Sequence, residues 1–166
     1  MAALQALLRE TPNPLDRVER IAEARSWPLD RATDDEAIML VAGAWSDLQV
    51  AIEWRAELET LHLACSFDAK VPSPRRDEMM RLLAMINEQL LHGHFDLWRR
   101  DGSLVFRNAL VLAGGAEAND AQCEALIRLA VETCQRYYPA VQFVAGAGRR
   151  AGEAMDGSLF ETVGEA

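Results

Sequence analysis

Two consecutive segments in which apolar and polar residues alternate constrain the fold of this chain more than any other feature. Apolar side chains recur at every second position in 48–54 and again in 61–67. A period of two is typical of a half-buried β-strand, because successive side chains point to opposite faces of a sheet. Turns predicted at 43–47 and 55–58 flank the first segment, so these strands are predicted to pair antiparallel.

Other segments are predicted to extend this sheet. Residues 38–42 are continuously apolar, which is typical of a central strand. Residues 94–98 and 103–112 flank Asp101-Gly102, a strong signal for a β-hairpin. Residues 29–33 are a candidate for one more short strand.

Helix signals lie on both sides of these strands and between them. Asn13 can cap the first free amides of a helix, and Pro14 at the first helical position loses no hydrogen bond. The predicted helices begin at Asn13-Pro14, at Ser73-Pro74 and at Asn119 or Asp120, and end at Trp27-Pro28, Gly93 and Pro139, with a further helix over 141–155. Strands clustered between helices predict the α+β class with a mostly antiparallel sheet.

The length of 166 residues corresponds to a single domain, which we predict to span residues 1–166. Residues 1–12 are expected to form a frayed arm and residues 156–166 a weakly structured tail. The start of the chain has no basic residue before its apolar stretch, which argues against an export signal. The apolar runs are shorter than the ~18 residues of a membrane helix. The predicted location is therefore the cytoplasm.

The net charge of −9 limits the classes of partner. Nucleic acid favours a basic surface, and anionic lipids repel an acidic one. The pairs Arg75-Arg76, Arg99-Arg100 and Arg149-Arg150 are scattered among acidic residues, so we expect solvated or ion-paired side chains and no basic patch. The sequence predicts neither a nucleic-acid nor a membrane partner.

The residue types that most often carry catalysis are few. Cys123 and Cys134 lie on one predicted helix, about 16 Å apart, which is too far for a disulfide. Cys65 alternates in phase with apolar neighbours, and all three cysteines are expected to be buried, reduced thiols. His92-Gly93-His94 supplies fewer than the three or four ligands that zinc needs, and His62 is predicted on the outward face of its strand.

Two further motifs are expected to be structural. Gly146-x-Gly148-x-x-Ala151 is similar to a dinucleotide-binding fingerprint, but the second strand and the acidic residue of such a site are missing. We expect these glycines at a helix break. The carboxylates of 34–36, Glu57 and Glu59 fall at predicted turns and are expected to be solvated. The sequence predicts no catalytic residue, no metal ligand and no cofactor.

Trp98 is the residue that most clearly indicates a binding function. It alternates out of phase with Phe95 and Leu97, so it faces outward if they face the core. Large exposed aromatic side chains are typical of partner surfaces. The predicted partner surface consists of Trp98, His94 and Trp45.

The chain resembles the YbjN-domain proteins of alphaproteobacteria from about Asn13 to Ala166. Each segment that carries the resemblance is short, but their order and spacing are specific. The segments are Asn13-Pro14-Leu15, Trp27-Pro28, Trp54-Arg55-x-Glu57, Asn87-Glu88-Gln89-Leu90, Gly93-His94-Phe95-Asp96-Leu97-Trp98, Phe106-Arg107, Gly114-Gly115, Tyr137-Tyr138-Pro139-Ala140-x-Gln142-Phe143 and Glu161-Thr162-x-Gly164-Glu165-Ala166.

The resemblance implies a fold similar to that of type III secretion chaperones, in the order helix, three strands, helix, two strands, helix. It also implies a loosely described regulator of sensory transduction, with no catalytic residues to carry over. Family members usually have a bulky aromatic residue and a lysine where this chain has Ala145 and Arg149. This difference implies a different partner specificity if that region makes contacts.

We therefore expect a non-enzymatic cytoplasmic adaptor or regulator that binds a partner protein as a homodimer. Chaperone-like folds of this kind hold polypeptides by extending a sheet edge or by offering apolar grooves. One alternative is a small-ligand sensor or an unrecognised enzyme with a pocket between sheet and helices. Another is a structural subunit of a larger complex.

Overall fold

Within residues 12–163, which the computed structural model describes with side chains as far as Gly157, the chain forms four helices and six strands. This order confirms the α+β class. In chain order the elements are α1 (Pro14–Arg25), β1 (Leu29–Thr33), β2 (Glu36–Val41), β3 (Leu48–Arg55), β4 (Thr60–Lys70), α2 (Arg76–Gln89), β5 (His94–Trp98), β6 (Ser103–Val111), α3 (Asp120–Ala145) and α4 (Ala151–Val163).

The six strands form one antiparallel sheet in the order β1-β2-β3-β4-β6-β5. The alternating segments 48–54 and 61–67 lie in β3 and β4, side by side at the centre of this sheet. One row of register partners crosses all six strands on the inner face, where it is buried or half-buried. The row consists of Leu29, Met39, Val50, Cys65, Phe106 and Phe95.

The adjacent row of register partners points to the opposite face, which we call the outer face. It is a mixture of apolar and charged residues, most of which reach solvent. This row consists of Asp30, Ile38, Ala51, Ala64, Arg107 and His94. Since register partners share a face and neighbours along a strand do not, the two rows define the buried and the open side of the sheet.

The helices pack on the inner face. α1 contacts β1, β2 and β3, α3 contacts β4 and β6, α2 contacts β5, and α4 packs against α2 and α3. The Asn13 side chain accepts a hydrogen bond from the amide of Leu15 (2.9 Å), which confirms the predicted cap of α1. Asn119 and Gln122 form a reciprocal capping box at the start of α3. Each described helix is too short or too polar to cross a membrane.

A strand forms at the apolar run 38–42, but the prediction that it is central is wrong. β2 lies second from the edge, and its residues alternate between buried and exposed. Ile38 and Leu40 are 39% and 49% exposed. A continuous apolar run indicates a strand covered on both faces, but this sheet has helices on one face only, so half of the run stays open.

The prediction that a helix ends at Pro139 is also wrong, because α3 continues through this residue to Ala145. Its buried stripe extends past the proline with Ala140, Val141 and Val144. Proline removes one helical hydrogen bond, and this packing offsets the loss. The helix predicted over 141–155 is consequently divided between α3 and α4.

The segment between α3 and α4 is the expected helix break. Gly146 caps the end of α3, and Gly148 has a φ of +67°, a conformation that glycine adopts without strain. The strand that a dinucleotide fingerprint needs is replaced here by the helix α3.

One helix start also differs from expectation, and the predictions for the two ends of the chain are only partly covered by the described residues. α4 reaches Val163 and so extends into the segment 156–166, where the sequence predicts a weakly structured tail. Residues 164–166 and the arm at 1–11 lie outside the described residues. Ser73-Pro74 opens a short 3-10 turn, and α2 itself begins at Arg76. β1 and the β5–β6 hairpin form as predicted.

Candidate partner-binding surface

Two of the three predicted surface residues lie on the outer face of the edge strand β5. His94 is exposed and Trp98 is 48% exposed, and Asp96 lies between them on the same face. Four residues of strand separate the two rings, or about 13 Å. Trp98 faces outward because Phe95 and Leu97 occupy the inward positions and are buried, as the alternation predicts.

We call the centre of the outer face the sheet trough and define it by Ile38, Leu40, Ala51, Ala64 and Val105, where small side chains lie beside larger ones. Ala51 and Ala64 are register partners on β3 and β4, and their small side chains form the floor. The larger side chains of Ile38 and Leu40 rise on β2. β2 and β6 are three strand spacings apart, about 14 Å, which sets the width of the trough.

Trp45 lies on a different surface from Trp98 and His94. It sits in the turn between β2 and β3 and stacks on Tyr138 of α3, with ring centroids 6.1 Å apart and an interplanar angle of 10°. Beside it is a groove of about 310 Å³ that includes Pro139 and Phe143. This groove is on the helical side of the sheet, so the three predicted residues occupy two separate surfaces.

A cavity of about 390 Å³ opens where β5 begins, lined by His62, His94 and Arg107 among others. Arg107 Nε donates a hydrogen bond to His62 Nε2 (3.3 Å), and Arg107 Nη1 lies 3.7 Å from the Asp96 carboxylate. Burial lowers the pKa of His62, and the positive charge of Arg107 lowers it further. His62 therefore acts as a neutral acceptor beside a guanidinium.

The described residues contain no group of three or more side chains suited to a metal ion. His92 is exposed in the loop before β5, and only His94 of this pair lines the cavity. The cavity thus offers hydrogen-bond donors and positive charge for a small anion.

The three cysteines are buried and free, as the sequence predicts. The Cys134 and Cys65 side chains form a hydrogen bond between α3 and β4, which together with burial raises the pKa of Cys134. Burial also raises the pKa of Cys123. The protonated thiols are poor nucleophiles. The contact between Cys65 and Cys134 leaves no trace in the sequence, since it depends on how α3 packs on the sheet.

The carboxylates at the predicted turns contact neighbouring main-chain and polar groups. The Glu59 carboxylate accepts hydrogen bonds from the amides of Gly114 and Gly115, both at 3.2 Å. The Asp35 carboxylate accepts one from Asn13 Nδ2 (3.1 Å). These contacts connect loops that are distant in sequence, so the carboxylates have structural partners.

The three arginine pairs, which we expected to be scattered, lie together at one end of the molecule. Arg76 Nη1 donates a hydrogen bond to the carbonyl of Arg99 (2.7 Å). Arg75 Nη1 donates one to the carbonyl of Gly148 (3.4 Å), the residue before Arg149. We call this surface the basic corner and define it as Arg75, Arg76, Arg99, Arg100, Arg149 and Arg150. The sequence does not reveal it, because three loops far apart along the chain supply it.

Two solved structures are among those similar to this one. The chain in "Crystal structure of YbjN, a putative transcription regulator from E. coli" has a TM-score of 0.52 and 13% identity, with 73% of this chain and 85% of that chain covered. A chain in "Crystal Structure of the ExsC-ExsE Complex" has a TM-score of 0.46 and 16% identity, with 73% and 90% covered. The first likeness shows a shared fold. No curated protein matches the chain.

The model of the YbjN family, described as "Putative bacterial sensory transduction regulator", matches residues 14–143. The match begins at the first residue of α1 and ends within α3, so it includes the whole sheet with its outer face. It confirms the resemblance noted from the sequence. The chain belongs to the YbjN family.

Proposed function

We propose that this protein is a non-enzymatic adaptor that binds a partner polypeptide on the outer face of its sheet. The observation that carries the proposal is the pair of exposed apolar side chains Ile38 and Leu40 on β2, next to the small side chains of the outer face, while Trp98 is exposed on the same face at β5. An antiparallel sheet with one solvated face ordinarily carries polar residues there. Exposed apolar side chains that adjoin one another on such a face, as Ile38 and Leu40 do, are typical of interaction sites.

The shape of the sheet trough also supports a polypeptide partner. An α-helix with its side chains is about 10–12 Å across, and the trough is about 14 Å wide. The floor at Ala51 and Ala64 gives the backbone of a bound segment room to approach. Ile38 and Leu40 offer apolar contacts along one side.

The proposed adaptor is a single domain that acts in the cytoplasm as a homodimer. The dimer rests on the resemblance of the sequence to proteins with a chaperone-like fold. The location rests on the three free thiols, which persist in a reducing compartment.

Native mass spectrometry of the protein purified gently from its own cytoplasm tests this function. We expect the mass of a dimer together with a second polypeptide. Ala64→Glu places a charge on the floor of the trough, and we expect this variant to keep the dimer and lose the second polypeptide. Circular dichroism verifies that the variant is folded.

Leu58→Glu is the matched control, because Leu58 is 59% exposed in the turn between β3 and β4 and does not form part of the trough. This variant is expected to retain the partner. A wild-type protein without a second polypeptide would contradict the proposal. So would a partner that stays bound to folded Ala64→Glu.

The cavity at His62, His94 and Arg107 favours a second candidate, a sensor of a small anionic ligand. It differs from the alternative considered from the sequence, since it opens at the start of β5 and not between sheet and helices. A small additional mass in the same spectrum, absent from Arg107→Gln, would support this candidate. A spectrum with a polypeptide and no small ligand would support the adaptor.

A further inference from the structure

We infer that the basic corner binds an acidic segment of the partner polypeptide. The inference rests on the proposed function and specifies the chemistry of the partner. It starts from a local excess of positive charge on a chain whose net charge is −9.

The arginines of the basic corner form no ion pair among the described residues. Every other described arginine except Arg20 and Arg136 is paired with an acidic side chain. The unpaired guanidinium groups are therefore concentrated at one place. A partner that supplies carboxylates can form ion pairs there without breaking existing ones.

Main-chain contacts position these side chains without neutralising them. Arg76 donates hydrogen bonds to the carbonyls of Val71 (3.2 Å) and Arg99 (2.7 Å), and Arg75 donates one to the carbonyl of Gly148. A guanidinium has five N–H donors, so each of these groups keeps free donors and its full charge. Partly fixed guanidinium groups lose less conformational entropy when they bind a carboxylate.

Carboxylates beside the corner have other partners. Glu78 contacts Arg81 (2.7 Å) and accepts a hydrogen bond from the amide of Ala151 (2.8 Å). The hydrogen bond from Ala151 has the largest effect in lowering the pKa of Glu78, and the positive charge of Arg150 also lowers it. Asp101 accepts hydrogen bonds from Ser103 and lies 3.5 Å from Lys70. The Glu153 carboxylate accepts a hydrogen bond from the backbone amide of Arg150 (3.4 Å). The corner therefore keeps a net positive charge.

The basic corner adjoins the outer face of the sheet. Trp98 is the last residue of β5 and directly precedes Arg99 and Arg100 in the β5–β6 turn. A polypeptide lying in the sheet trough can therefore continue past Trp98 to the arginines. This continuity predicts a partner segment with apolar residues followed or preceded by acidic ones.

The distribution of charge favours a polypeptide over other anions. Because the arginines of the corner are included in the net charge of −9, the remainder of the chain is more acidic than the whole. A long nucleic acid or an anionic membrane would extend onto that acidic surface and be repelled. A short run of carboxylates fits within the corner, where arginine forks bind carboxylates by paired hydrogen bonds.

Fluorescence anisotropy with a fluorescein-labelled oligoglutamate peptide tests the inference on the full chain. We expect binding that weakens with salt and is about tenfold weaker in Arg99→Glu/Arg100→Glu. Arg149→Glu/Arg150→Glu should show a loss of similar size. Arg20→Glu/Arg136→Glu is the matched control with the same change of charge outside the corner, and it should bind like the wild type within about twofold.

Equal loss in the control and corner variants, or no binding by the folded wild type, would overturn the inference. Tighter binding of oligothymidylate, or of phosphatidylglycerol vesicles, that depends on the same arginines would overturn it in favour of nucleic acid or membrane. Native mass spectra separate it from the proposed function. If Arg99→Glu/Arg100→Glu still binds the partner that Ala64→Glu loses, the result supports the adaptor function and contradicts the inference that the basic corner binds an acidic segment.

Discussion

The side chain of Asn87 forms two hydrogen bonds with the main chain of Phe95. Asn87 Nδ2 donates to the carbonyl of Phe95 (3.0 Å), and Asn87 Oδ1 accepts from the amide of Phe95 (2.7 Å). Phe95 is the second residue of β5, which lies at the edge of the sheet. The carboxamide from α2 thus replaces a neighbouring strand at this position. It also limits the addition of a partner strand here, because edge strands pair through free main-chain groups.

Replacement of Asn87 by alanine tests the contribution of these two hydrogen bonds. Asn87→Ala leaves two main-chain groups of a buried residue without their partners, so we expect the free energy of unfolding to fall by about 1–3 kcal/mol. Urea denaturation followed by fluorescence measures the change. Asn108→Ala is the control, because the Asn108 carboxamide accepts a hydrogen bond from the amide of Ala109, the next residue. A loss of equal size in the two variants would contradict the special role of Asn87.

Two glycine substitutions should change stability in opposite directions. Gly148 has a φ of +67°, so Gly148→Ala is expected to lower the free energy of unfolding by about 1 kcal/mol through backbone strain. Gly157 lies inside α4, and an added Cβ meets no atom within 4 Å. Gly157→Ala is expected to raise the free energy of unfolding by about 0.5–1 kcal/mol, since alanine favours a helix.

Thermal denaturation of both glycine variants provides the measurement. The increase for Gly157→Ala depends on a helix that extends beyond residue 156, where the sequence predicts a weakly structured tail. An unchanged melting temperature for Gly157→Ala would therefore argue against that part of α4. A stabilised Gly148→Ala would argue against the left-handed backbone at the helix break.

The imidazole of His62 should titrate below its ordinary pKa of about 6.5. Burial has the largest effect, and the positive charges of Arg107, Arg55 and His94 act in the same direction, while Glu53 opposes them. NMR titration of the imidazole signals measures the pKa. Arg107→Gln removes one of the positive charges, so the pKa of His62 should rise. A wild-type value at or above 6.5 would contradict this account.

The same shift predicts how His62 affects stability. Its pKa is lower in the folded chain than in the unfolded chain. As the pH falls below about 6.5, the unfolded chain takes up a proton at this site first. The contribution of His62 to the free energy of unfolding should therefore decrease between that pH and the folded-state pKa. His62→Gln should show a weaker pH dependence of stability over this interval.

The three thiols should be unreactive in the folded protein. Cys65, Cys123 and Cys134 are buried, and burial or mutual hydrogen bonding raises the pKa of Cys123 and Cys134. Ellman's reagent is expected to modify all three after denaturation and none of them before it. Rapid modification of one thiol under native conditions would show an accessible cysteine and weaken the assignment of purely structural roles.

Local signals predicted much of the fold because they depend on neighbouring residues. The alternation in 48–54 and 61–67 gave the correct faces of β3 and β4, since side-chain direction in a strand follows position alone. Asn13 was recognised as a helix cap, and the cap of α3 was limited to Asn119 or Asp120, because a cap requires a particular side chain beside the first amides. The outward position of Trp98 follows from the same alternation.

Predictions failed where distant elements determine the outcome. The apolar run at 38–42 does not reveal that one face of the sheet lacks helices. Pro139 is tolerated within α3 because the helix packs on the core on both sides of it. The tail after Asp156 shows little periodicity, yet α4 packs against α2 and α3 near its start.

The features of the candidate site also fall into local ones, which the sequence predicts, and long-range ones, which it does not. Residue types at short and regular spacings were sufficient to predict the family, the α+β class, the cap of α1 and the outward direction of Trp98. The packing of distant elements was needed to show that His94 and Trp98 share a face that Trp45 does not reach, and that three arginine pairs from distant loops lie together at one corner. The proximity of these residues depends on how helices and strands pack, and this packing is determined by the burial of many side chains together.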